Sequence, residues 1–196
     1  MDKNSTSYRF LNALKQLLIA TLLGLILYFF MIPIGTQLSW VTPVMQLLLI
    51  SMFTCSVYIP FWEYGDRDNN LVLFNKRDKD MLFGLKLSSL VIIPYFVSSV
   101  LLLLYRLGVP SWTLLIYRIV NVQFIYIIDY LINIETASAT PWLSIVVCML
   151  LPLYTVLVAS VAYILGYKQI SIKEKLIYKS KWYLSFETHK LSYTII

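Results

Sequence analysis

Histidine, cysteine and buried acid are scarce in this chain, and each scarcity removes a class of chemistry. His189 is the only histidine among 196 residues, so a His-Glu-x-x-His zinc site cannot be assembled. It stands near the carboxy end, far from both cysteines, whereas a Cys–His nucleophile pair needs hydrogen-bond contact. Cys55 and Cys148 are the only cysteines. Their depths within their apolar segments differ by about 10 Å at the helical rise, beyond disulfide reach. Both are expected to be small buried apolar residues. Asp129 is the only acid well inside an apolar segment, so a pair of intramembrane aspartates is excluded. A Gly-rich phosphate loop, an internal repeat and a low-complexity tract are all missing. A single-chain inverted-repeat transporter is therefore not expected, and no cofactor is implied.

Charge is also thin. Only 13% of residues are charged, 59% are hydrophobic, and mean hydropathy is +0.74, far from the mix of a soluble domain. Fourteen of the 16 Lys and Arg residues fall in three clusters, before residue 16, from Arg67 to Lys86, and from Lys168 to Lys190. The excess of +6 lies beside apolar runs, so membrane orientation and anionic headgroups account for it, and nucleic acid is not an expected partner.

Between the clusters lie five apolar segments, 17–34, 41–62, 82–107, 113–134 and 142–167. A spanning helix needs about 20 apolar residues. Trp40, Trp62, Trp112 and Trp142 stand at segment edges, where an amphipathic ring prefers the headgroup level. The first segment follows Lys3, Arg9 and Lys15 as a signal peptide would. It exceeds the usual apolar length and lacks a small-residue cleavage site, so it is read as a retained span.

The segment 113–134 differs from the rest. It carries Arg118, Asn121, Gln123, Asp129 and Asn133. On a straight helix Arg118 and Asp129 project within about 20° of each other but lie roughly 16 Å apart, so they are not expected to pair. Arg118, Asn121 and Asp129 are the candidate ligand-binding residues. The segment is expected to lie at the outer interface or to re-enter, its polar stripe facing water, because buried charge is expensive; a stripe facing the bundle interior is the alternative. If the other four segments span, 14 Lys and Arg share one side with both termini, leaving Arg106 and Arg118 opposite. Five spans would divide them about evenly, against the positive-inside rule. The expected fold is thus an all-α membrane domain over 1–196. It has four transmembrane helices, one amphipathic or re-entrant helix on the outer side, a cytoplasmic loop 63–81 and a cytoplasmic tail 168–196.

The loop holds Asp66-x-Asp68-x-Asn70, the first three positions of a calcium loop. Leu71 stands where that loop needs Gly, and Arg77 where it needs a bidentate Glu. The expected role of Asp66, Asp68 and Asn70 is a hydrogen-bonded turn after Gly65, with a metal–phosphate site as the alternative. Beyond the last span, Ser171-x-x-Glu174 has the form of a capping box. It would open a short helix with Lys173, Lys175 and Lys179 outward, suited to anionic lipid.

Three stretches carry a resemblance: Trp62-x-x-Gly65-x-Arg67-Asp68-x-Asn70-Leu71-Val72, Tyr117-Arg118-x-x-Asn121, and the run from Gly166-Tyr167-Lys168 to Tyr178-Lys179. Together they resemble a group of small multi-pass membrane proteins of low-GC Gram-positive bacteria with no assigned activity. The resemblance covers about a fifth of the chain and implies an integral membrane protein without supplying a reaction. Asn75-Lys76 departs from the Gly-Arg-like pair expected after the first stretch. The expected function is a cell-membrane accessory or scaffold subunit without its own chemistry, working with other membrane proteins or as a homo-oligomer. An oligomeric transporter of a small polar or anionic solute, and a membrane enzyme acting on a lipid-linked phosphate, are the alternatives.

Overall fold

The computed structural model describes residues 5–38, 40–76, 78–108, 112–132 and 140–170; Asn133, His189 and the helix expected from Ser171 lie outside them. Those residues build an all-helical bundle. α1 (Thr6–Gln37) rises from the basic end, opened by the Ser5 hydroxyl accepting from the Tyr8 amide. α2 (Val41–Leu73) returns beside it. α3 (Phe83–Val91) and α4 (Ile93–Arg106) form one climb bent by 43°, because Pro94 lacks an N–H and crowds the preceding turn. α5 (Trp112–Val120), a 3-10 turn (Val122–Phe124) and α6 (Ile125–Leu131) form a second pair, bent by 92°. α7 (Trp142–Leu150) and α8 (Leu153–Tyr167) complete the bundle, pausing at Pro152 within one 26-residue stretch.

Three stretches, α1, α2 and the continuous α7–α8, are long and apolar enough to cross a membrane, or up to five if each bent pair counts as one span. Large apolar side chains such as Leu22, Phe30, Leu47, Val97 and Leu157 stand exposed around the bundle. That surface suits lipid and is compatible with an integral membrane protein.

In lipid, burying apolar surface against a neighbour gains little, so helices are held by close packing and internal polar contacts. Packing of this kind dominates between α2 and α8, the most extensive helix–helix contact among the described residues. Gly65 of α2 sits against the Tyr163 carbonyl of α8, and Gly166 of α8 against the Trp62 carbonyl of α2. A side chain at either glycine would meet backbone.

This packing corrects the expected loop. The chain does not turn after Gly65; α2 continues through Asp66, Asp68 and Asn70 to Leu73. It stops where Asn75 adopts φ 54° and the Lys76 amide reaches the Leu71 carbonyl at 2.9 Å, a Schellman-type close. Tertiary contact with α1 and α8 outweighs the turn preference of the residues. Cys55 is a second correction, since it is exposed on α2, whereas Cys148 is buried; neither is in a disulfide.

Candidate functional site

Two ion pairs organise the polar interior. The first unites α1, α2, α3 and α8 at the basic end. Arg9 donates from Nη1 and Nη2 to the two Asp68 carboxylate oxygens, each at 2.7 Å. Both side chains are almost wholly buried. The Tyr163 hydroxyl donates to Asp68 Oδ2 at 2.8 Å. The guanidinium lies over the rings of Tyr64 and Phe83, 5.5 and 5.4 Å from their centroids. Tyr64 is held in turn by Asn12, whose amide donates to its hydroxyl at 2.7 Å. This is a bidentate, planar match that Arg makes and Lys does not.

Asp68 is therefore a structural anion. Asp66 projects about 200° away from it around the helix, so the two carboxylates do not converge. Asn70 accepts from the Gln169 side-chain amide at 3.4 Å. Among the described residues no three His, Cys, Asp or Glu side chains gather. The metal–phosphate alternative thus loses its geometry, and the turn is replaced by helix.

The second pair sits at the opposite end. Arg118 Nη2 donates to Asp129 Oδ2 at 2.7 Å. The expectation that these residues could not meet assumed a straight helix; the break at Asn121 sets α6 at about a right angle to α5 (92°) and shortens the separation. The pair is partly open, with side-chain exposures of 20% and 26%. Tyr28 and Tyr126, in edge-to-face contact at 5.7 Å, flank it from α1 and α6.

Asn121 corrects the expected water-facing stripe. It is fully buried, donating to Ser98 Oγ at 3.0 Å and to the Tyr117 carbonyl at 3.1 Å. The broken backbone is held by Gln46 of α2. Its Nε2 donates to the Gln123 carbonyl at 2.6 Å and its Oε1 accepts from the Tyr126 amide at 3.2 Å. One side chain thus satisfies two peptide groups that the interrupted helix leaves open, as irregular backbone shielded from water requires. The Gln123 side chain is also buried, with neither end hydrogen-bonded, and Asn121 Oδ1 likewise has no donor.

Sequence reasoning missed Arg9 and Gln46. By composition Arg9 reads only as an orienting charge, yet it continues the buried stripe Ala13, Leu17, Ala20 at helical spacing. Gln46 carries no motif; only the fold gives it a partner.

The Arg118–Asp129 pair, intermediate in exposure, should be worth about 1 kcal/mol, between surface and buried pairs. A double-mutant cycle with Arg118→Gln and Asp129→Asn, read as melting in detergent, should show that coupling; additive losses would mean the pair contributes nothing. An impermeant thiol reagent should label cysteine at Asp129 but not at Asn121.

Compared with protein-family models, curated proteins and solved structures, the chain matches none.

Proposed function

We propose that this integral membrane protein is a small accessory or scaffold subunit of a membrane assembly, without chemistry of its own. The observation that supports this reading is internal neutralisation of charge. Arg9 is matched by Asp68 and Arg118 by Asp129, while Arg106 lies over the Trp142 ring at 5.1 Å. Charges spent this way stabilise a shape rather than wait for a substrate.

The arrangement we propose is four spans plus a re-entrant segment at 112–132, with both termini cytoplasmic. Four spans leave 14 of 16 Lys and Arg on one side, as the positive-inside rule favours. The lysines from Lys168 onward then adjoin the inner leaflet, where anionic lipid is their natural ligand. A reporter active only outside the cytoplasm, fused after Ile196, should stay silent; strong activity there would restore five spans. Crosslinking in cells and purification in mild detergent should yield a stoichiometric membrane-protein partner. A chain that purifies only with itself and conducts solute in proteoliposomes would overturn the scaffold reading.

Transport of a small polar solute is the second reading. It is favoured by Gln123 and Asn121, whose buried amide groups keep unmet hydrogen-bonding capacity at a helix break. Broken helices supply the solute sites of many transporters.

A further inference from the structure

A groove of about 350 Å³ opens sideways between α1 and α2 on the outside of the bundle. Its lining changes character along its length. Toward the basic end it is walled by Asn12, Gln16 and Glu63; deeper it runs along Ser56, Cys55 and Met52. From Glu63 to Met52 is about 16 Å along α2. Pro60 also lines it, and a proline inside a helix has no N–H to give the carbonyl four residues earlier. The Ser56 carbonyl is thus without its usual helical donor at mid-groove. A polar, acidic mouth leading to a less polar channel parallels the gradient of a phospholipid from headgroup to chain.

We propose that this groove binds one phospholipid with a primary-amine headgroup, of the phosphatidylethanolamine type, from the leaflet at the basic end. Among the described residues, Glu63 is the only charged group in the lining, and its side chain is half exposed. It accepts the ammonium in a charge-assisted hydrogen bond. Lys15 is exposed on α1, at nearly the level of Glu63 by the helical rise, and Arg67 stands 3.6 Å from the Glu63 carboxylate. These two cations meet the phosphate. One acyl chain lies along Ile59, Cys55 and Met52. A lipid without an amine gains nothing from Glu63. A partner helix would meet a half-exposed acid at one end only, whereas a lipid matches both ends.

The inference goes beyond the scaffold reading and does not depend on it. The test uses the full chain in nanodiscs of phosphatidylethanolamine or of phosphatidylglycerol. Cys55 lies in the groove and is exposed, while Cys148 is buried, so a membrane-permeant maleimide reports on Cys55. Labelling should be slower in the amine lipid. Native mass spectrometry from a mixture of the two lipids should show retention of the amine lipid. Glu63→Gln, at an exposed side chain, should lower that preference about tenfold, the worth of one charge-assisted hydrogen bond. Equal retention of both lipids by the unaltered chain, or equal Cys55 labelling in both, would overturn the proposal. So would protection of Cys55 in native membranes that disappears only when a co-purifying polypeptide is removed, which would assign the groove to a partner helix.

Discussion

Asp68→Asn should lower the stability of the folded protein by about 3–5 kcal/mol, the cost of leaving one member of a buried ion pair without its partner. The substitution preserves shape but removes the charge that Arg9 meets through two bonds of 2.7 Å. One amide face would then present N–H groups to guanidinium N–H groups, donor against donor. Arg9 cannot escape to water, because Tyr64 and Phe83 cover it. The turn expected from sequence would have tolerated the same change, since an amide oxygen can still cap a backbone N–H; the helical, buried setting reverses that expectation. Arg9→Met should be comparably damaging. The double variant Arg9→Met with Asp68→Leu should recover most of the loss, because apolar replacement of a whole buried pair is often neutral or better. Melting of the detergent-solubilised protein measures all three. A single Asp68→Asn variant within about 1 kcal/mol of the parent, the range of a surface pair, would show that the pair is not buried as described.

Gly65→Ala and Gly166→Ala should each force α2 and α8 apart. A methyl group at Gly65 meets the Tyr163 carbonyl and the Tyr167 amide; at Gly166 it meets the Trp62 carbonyl. Neither neighbour is a side chain that can rotate away. Overpacking of this kind costs about 1–3 kcal/mol, occasionally more. Separation also weakens the Trp62 indole bond to the Ile170 carbonyl at 3.0 Å and the Tyr163 bond to Asp68 at 2.8 Å. The losses should not add in the double variant, since the first substitution already opens the contact that the second would strain. Gly35→Ala is the control. Its nearest neighbour beyond the helix, Thr42 Oγ1, would lie 3.8 Å from the new methyl, an ordinary contact, so stability should hold or rise with helix propensity. If Gly65→Ala melts with the parent, the close approach of α2 and α8 is wrong.

Both results turn on a stripe that the residues do display. Along α2 the buried positions Val41, Met45, Leu49, Phe53, Val57 and Phe61 continue through Gly65 and Asp68. The four- and three-residue spacing runs past the last apolar residue into the charged stretch. Reading that stretch by composition ended the helix at Trp62; reading it by periodicity carries it further. The same holds for Arg9, which extends the stripe of α1. The charge of these residues hid their position, because a charged side chain is placed at the surface until a partner is in view.

The sequence by itself determined that this is a helical membrane protein, where its apolar segments lie, and which segment is exceptional. Those properties follow from hydropathy and charge order along the chain, and each residue contributes to them independently. Only the tertiary structure decided what the exceptional residues do. Arg9 and Asp68 are 59 positions apart, and no local pattern pairs them. Arg118 and Asp129 meet because the helix breaks at Asn121, and the break persists because Gln46, on another helix, satisfies the backbone it opens. The energy of a buried charge or an open peptide group depends on what stands within a few ångströms of it. Sequence spacing does not carry that information once the chain bends or two helices close on each other.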